Sequence, residues 1–257
     1  MTPDPITKLM LDILRMPPAA SAHAADVDQL MVLVHWLMAI LFTGWSIFFV
    51  YVLVRFRRGA HPVADPRGVR GRWSTFVEGG VLVAEVILLA FFSIPAWSSR
   101  VDAFPSAQQS TVVRVVAEQF AWNVHYPGAD GAFGRTDVTF LSATNPLGLD
   151  RSDPAARDDV TTINRLNLPM GRPVIVYLST KDMVHSFTLP QMRVKQDAVP
   201  GTVQPVWFTP TRTGEWEIAC SQLCGLGHYR MRGFYSVQTR EDFASWLAAE
   251  TAALAPR

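Results

Sequence analysis

Twenty-five consecutive residues without a formal charge, Leu30 to Val54 (LMVLVHWLMAILFTGWSIFFVYVLV), limit what this chain can fold into. At roughly 1.5 Å per residue, a helix of that length extends about 37 Å, enough to cross a bilayer. A second stretch, Ser74 to Trp97, also has spanning length, with Glu78 and Glu85 inside it. The competing reading, a buried helix of a soluble protein, would have to hold for two such stretches in tandem. Together they predict a transmembrane hairpin over residues 30–97, with helices at about 30–54 and 74–97 and a loop at 55–73. That loop carries Arg55, Arg57, Arg58, Arg67, Arg70 and Arg72 against a single Asp65, and arginines stay on the cytoplasmic side. Both termini are then expected outside, and residues 98–257 form an exported domain large enough for its own core. The host membrane is expected to be a bacterial inner membrane.

Residues 1–29 need separate treatment. AASAHA, ending at Ala24, has the small-residue character of a signal cleavage site, but the upstream LMLDILRM is interrupted by Asp12 and Arg15. The expectation is a short interfacial segment, with processing near residue 24 left open. Lys and Arg total 23 against 22 Asp and Glu, a net charge of +1, which points away from nucleic acid as a partner.

From Ser110 onward the apolar pattern changes to short β-rich pieces separated by Gly and Pro: TVVRVVAEQFAW, PVIVYLS, HSFTLP, PVWFTP, EWEIAC and GFYSVQ. This predicts a β-sandwich or barrel. Tyr126 to Asp159, dense in Gly, Pro and Asp, is expected to be a long surface loop with one strand at Val138 to Leu141. EDFASWLAAETAALA has helical periodicity with Glu241 and Asp242 at its start, and predicts a closing C-terminal helix.

Both cysteines lie in Cys220-Ser-Gln-Leu-Cys224-Gly-Leu-Gly-His228-Tyr-Arg-Met231. In an exported domain the bland reading is a disulfide. Zinc would accept two thiolates and two imidazoles, including that of His185 upstream, but has little use for a thioether. Taken singly, a strand histidine or a methionine is more often core than ligand. Taken together, the five side chains favour copper. Two cysteine sulfurs one helical turn apart in sequence could bridge a pair of coppers, leaving one histidine for each and weak axial positions for Met231 and a backbone carbonyl. A bridged pair shares the transferred electron, so bond lengths change little on reduction. Gly225 and Gly227 let the backbone fold tightly around such a pair.

HSFTLPQMRVKQDAVPG followed by CSQLCGLGHYRM resembles subunit II of the haem-copper cytochrome c oxidases, which carries the dinuclear CuA centre. The resemblance extends to the whole layout, so the implied fold class is membrane-anchored all-β: a two-helix hairpin, a cupredoxin-like sandwich and a short C-terminal helix. It implies His185, Cys220, Cys224, His228 and Met231 as side-chain copper ligands, with the main-chain carbonyl of Gln222 as the sixth contact. It also implies a cytochrome c donor, delivery of electrons to haem in subunit I, dioxygen reduction and proton pumping there, and a third subunit.

Three places bear on how far the resemblance reaches. Gln222 stands where the family has the glutamate that helps bind magnesium at the subunit I interface, and an amide binds magnesium more weakly; Asp197 matches the acidic residue near that interface. Phe120 stands where the family has the tryptophan that accepts electrons, so either the donor is expected to dock differently or Phe120 or Trp122 is expected to substitute for it. Glu78 matches the acidic residue at the mouth of a proton path into subunit I, and intramembrane carboxylates are costly and usually functional. The alternatives are a copper-delivery or assembly protein and a copper-free quinol-oxidase-type subunit II; the latter lacks the five ligand side chains that this chain retains.

Overall fold

The computed structural model describes residues 4–63 and 71–254. Asp65, Arg67 and Arg70 of the predicted cytoplasmic loop lie outside the described residues. The chain divides into two compact units, Met1–Met16 with Ala25–Ala103, and Pro17–Ala24 with Phe104–Arg257.

In the first unit, helix α1 (Pro5–Ile13) starts where the Asp4 carboxylate accepts from the backbone N–H groups of Ile6 and Thr7 at 3.0 and 3.1 Å. This satisfies two of the donors that a helix start leaves unpaired. Helix α2 spans Ala24–Arg55 and α3 spans Trp73–Leu88. A π-turn at Leu89–Ser93 then leads into α4, Ile94–Val101. Pro95, which lacks an N–H, lies two residues after the end of the π-turn, whose longer hydrogen-bonded ring lets the chain continue as a helix. The continuous helices Ala24–Arg55 and Trp73–Val101 are long and apolar enough to cross a membrane, and an apolar 18-residue window in each is nowhere buried inside the protein. Phe42 is 76% exposed and Phe91 71%, a surface that water would not tolerate over this length but lipid would.

The second unit is a sandwich of two five-stranded sheets. One has the order β3 (Val160–Ile163), β2 (Ala121–Tyr126), β1 (Thr111–Glu118), β5 (Val174–Thr180) and β8 (Gln204–Phe208). The other has the order β4 (Arg165–Pro169), β10 (Arg232–Gln238), β9 (Gly214–Cys220), β6 (His185–Leu189) and β7 (Val194–Ala198). Strand β1 shows why the sheets stack: Val113, Val115 and Ala117 are fully buried, while Arg114, Val116 and Glu118 alternate onto the outer face. Facing them across the core are Leu166, Leu168, Phe187, Ile218 and Tyr235. Helix α5 (Arg240–Ala253), capped by Thr239, lays Phe243 and Trp246 on this core, with the Trp246 ring 5.1 Å from that of Tyr126.

The architecture is the expected membrane-anchored all-β arrangement with a closing helix, and several details differ from the sequence reading. TVVRVVAEQFAW is two strands, because the chain turns at Gln119–Phe120. Val138–Phe140 is a single 3-10 turn rather than a strand, since the Asp137 carboxylate captures the Thr139 N–H at 2.8 Å and closes a local turn. Residues 17–24 lie along the sandwich as an added strap. Ala20 donates to the Gln191 carbonyl at 2.8 Å and accepts from the Thr211 N–H at 2.9 Å, and Ala22 donates to the Thr209 carbonyl at 2.9 Å.

Candidate metal centre

The pairing of β6 with β9, with Phe187 opposite Cys220, sets the first residue of β6 beside the last residue of β9. His185 and Cys220 therefore meet at one end of the sandwich. The loop after Cys220 carries Cys224, and a 3-10 turn at His228–Arg230 presents His228 before Met231 leads into β10. All five side chains converge. Cys220 Sγ is 3.8 Å from Cys224 Sγ, and His185 Nδ1 is 3.1 Å from Met231 Sδ and 4.0 Å from Cys220 Sγ. Cys224 Sγ lies 3.5 Å from His228 Nδ1 and 3.6 Å from Met231 Sδ. Gln222 contributes its backbone carbonyl, 3.2 Å from Cys220 Sγ, while its side chain faces outward.

Both thiols are free. Their separation is far beyond the roughly 2.05 Å of a disulfide, so the bland reading does not describe this geometry. Burial pushes the Cys224 thiol up to about 11, assisted by hydrogen bonding and charge at Cys220. A metal entering here must displace that proton. The ligand atoms of His185, Cys220 and Cys224 all lie within 4.8 Å of one another, a spacing suited to shared metal ligation. A thioether among them fits copper better than zinc.

The surrounding residues hold this cluster in place, and the sequence reading missed them. His185 turns Nδ1 toward the sulfurs because Nε2 is engaged at 2.8 Å by Asp182 Oδ1. Asp182 accepts in turn from the Gln119 N–H at 2.7 Å and the Met183 N–H at 2.7 Å, and hydrogen bonding from His185 holds its carboxyl below the usual range against the opposing effect of burial. The Gln119 side-chain amide donates to the Cys224 carbonyl at 2.7 Å. One residue thus ties the histidine side of the cluster to the cysteine loop. A carboxylate three residues before a candidate ligand histidine, in Lys181-Asp182-Met183-Val184-His185, was the available signal. Gly225 has φ 126°, and a Cβ there would approach Gln119 Nε2 to 2.6 Å; a Cβ on Gly227 would approach the Phe120 ring to 2.4 Å. These two glycines let the loop seat against Gln119 and Phe120.

The remaining residues singled out from the sequence fall as follows. Phe120 is half-buried beneath the loop. Trp122 is fully buried, its ring 6.2 Å from His185 and 5.5 Å from Phe187, so it presents no surface to a docking protein. Asp197 lies on β7 opposite Ser186, whose hydroxyl donates to it at 2.6 Å and holds its carboxyl below the usual range. Glu78 is exposed on α3, in the spanning unit rather than in the unit that holds the cluster.

Fold and site define a membrane-anchored β-sandwich protein with a cluster of sulfur and imidazole donors that could hold a soft metal. Residues 111–235 match the family described as cytochrome c oxidase subunit II, periplasmic domain. Over 230 residues the chain is 34% identical to the alternative cytochrome c oxidase subunit 2 of Bradyrhizobium diazoefficiens, covering 86% of this chain and 79% of that protein. It is 27% identical over 256 residues to cytochrome c oxidase subunit 2 of Cereibacter sphaeroides, covering 92% and 82% respectively. The solved periplasmic domain of cytochrome oxidase subunit II of Bradyrhizobium japonicum is 27% identical, covers 59% of this chain and 99% of its own, and superposes with a TM-score of 0.43. The chain belongs to the cytochrome c oxidase subunit II family. Membership makes it a membrane-anchored component of an oxidoreductase complex with other oxidase subunits, in a family that binds copper.

Proposed function

We propose that this chain is the electron-accepting subunit of a proton-pumping oxidase, taking single electrons from a cytochrome c and handing them to haem in subunit I. The observation that carries this reading is the convergence of two unbonded thiols, two imidazole Nδ1 atoms and one thioether at the end of the sandwich. His185, Cys220, Cys224, His228, Met231 and the Gln222 carbonyl would hold a dinuclear CuA centre. Such a centre, when bound, supplies one-electron exchange with little change in bond length. The protein's own part is to aim and shield. Asp182 fixes the His185 tautomer with Nδ1 free for a metal, Gln119 braces the cysteine loop, and the buried Trp122 and Phe187 keep water from the inner side of His185.

The half-buried Phe120, pressed against the loop, is the better placed of the two aromatics to meet a donor; Trp122 would act only behind it. Asp197, with the outward-facing Gln222, would border subunit I, where any magnesium would be held weakly for want of the glutamate. Glu78 would open a proton path into subunit I. The arginines flanking the helix ends favour an inner-membrane topology with that connection inside, and with residues 98–257 and both termini on the periplasmic side. A third oxidase subunit would complete the assembly.

The test is copper quantitation and spectroscopy on the purified whole complex. Expected are two coppers attributable to this chain, with a mixed-valence spectrum that Cys220→Ser abolishes. Zinc in their place, or thiols bonded to one another in the metal-replete complex, would sink the reading.

A further inference from the structure

The outer face of the first sheet is roofed where an ordinary sandwich would meet water. Alternation along the strands places Arg114 and Val116 of β1 and Tyr177 and Ser179 of β5 side by side on that face, with Arg114 opposite Tyr177 and Val116 opposite Ser179. The long connection between β2 and β3 folds back over them and encloses a cleft of about 500 Å³, with Phe133, Leu141 and Leu147 as its roof. That volume falls in the range of small-molecule sites. Ordering so long a connection costs conformational entropy, and this one is pinned at several points. Asp158 accepts from the Ala129 N–H at 2.6 Å, Asp153 from the Arg135 N–H at 2.8 Å, and Asp159 from the Gly134 N–H at 2.8 Å and from His125 Nε2 at 2.6 Å.

Arg114 lines the cleft. Its guanidinium sits 4.1 Å from the centroid of the Phe133 ring, which in turn meets the His125 ring edge-on at 4.9 Å. Among the described residues it makes no hydrogen bond or ion pair. Burial pushes it below the ordinary arginine range, while the charge of Asp159, too far for an ion pair, pulls it back. Asp159 is bonded through Oδ2 to His125 and Gly134, and its buried Oδ1 has no hydrogen-bond partner among the described residues. A half-buried guanidinium stacked on one face has only its edge left to offer, a planar fork of donors that matches a carboxylate.

The other charges narrow the choice of ligand. Lys181 also lines the cleft but is neutralised by Glu118 at 2.6 Å. Asp137, on the same wall, is kept ionised by hydrogen bonds from Thr139 and would repel a second negative charge. One cation is free and one anion stands guard, which suits a monoanion and disfavours a polyphosphate. The remaining wall is largely apolar. We propose that this cleft binds a small organic monoanion, a carboxylate bearing an apolar or aromatic body, with Arg114 as its anchor.

The experiment uses the intact oxidase complex in lipid nanodiscs with 4-(trifluoromethyl)benzoate as probe, followed by fluorine NMR. Binding with a Kd of about 0.1–1 mM is expected for a ligand of this size. Arg114→Gln, which keeps a polar amide but removes the charge, should weaken it about 10–100-fold, the cost of losing a charge-assisted pair. Leu141→Asp, at a partly exposed roof position, should have a similar effect by adding a second negative charge. Oxidase turnover should be unchanged in both variants, which reports that they are folded. Probe binding that survives both substitutions, or equal binding of the neutral 4-(trifluoromethyl)benzyl alcohol, overturns the proposal. Equal displacement of the probe by inorganic phosphate would overturn the assignment to an organic carboxylate.

Discussion

Asp182 decides which nitrogen of His185 faces the sulfurs. A neutral imidazole has one donor and one acceptor nitrogen, and a carboxylate at Nε2 claims the donor. Nδ1 is left as the lone-pair side, aimed at Met231 and Cys220. Replacing Asp182 with Ala removes the acceptor for His185 and also frees the Gln119 N–H, which lies at the turn between β1 and β2. The expected outcome is copper affinity reduced about 10–100-fold, measured by competition with a chelator, with the fold retained. Asp182→Asn should recover part of the loss, since its amide oxygen still accepts. Unchanged affinity in the Ala variant would mean that packing alone orients His185.

At the scale of the elements, the connection between β2 and β3 shows how pH should act. Asp150 is held down to about 2, first by hydrogen bonding from Arg135 and then from the hydroxyl and N–H of Ser152. A carboxylate whose folded value lies below its unfolded value of 3.8 binds more protons when unfolded. Its contribution is therefore present above about pH 4 and lost as pH falls toward 2. Pepsin, active across that window, should cut within residues 127–159 much faster at pH 2 than at pH 4, while the strands stay protected. Asp150→Asn should move the sensitivity to higher pH; equal cutting at both values would show that this carboxylate does not order the segment. The same segment marks where sequence reading stops. Short β-rich runs bounded by Gly and Pro exposed β5, β6 and β9, and the spacing of cysteine, histidine and methionine exposed the centre. Residues 160–169 were missed because β3 and β4 are four and five residues long and carry Thr, Asn and Arg among their apolar positions. The strap at 17–24 escaped for a different reason: small residues such as Ala20 are buried by backbone pairing, which leaves no hydrophobic pattern behind.

For the whole molecule, the surface around the metal centre bears on how a donor would be recognised. Leu223, Leu226 and Tyr229 are 77%, 98% and 86% exposed and flank the cluster on its own loop, next to the half-buried Phe120. Exposed apolar side chains gathered on one loop mark a surface meant to be covered. The chain as a whole carries a formal charge of only +1, and Lys181 and Glu118 neutralise each other near the site. Long-range steering should therefore be weak, and docking should depend on apolar contact. Raising the salt from 20 to 200 mM shortens the Debye length from roughly 20 Å to about 7 Å, yet kcat/KM for the proposed cytochrome c donor should change by less than about threefold. Leu226→Asp should lower kcat/KM by about tenfold or more by burying an unpaired charge in the encounter surface, without altering the copper spectrum. A different result would reassign the patch. If Leu226→Asp left donor oxidation intact in assembled complexes but lowered the yield of complex, this apron would be the face covered by subunit I, and the donor would have to approach the cluster from the side of Phe120 and Asp182.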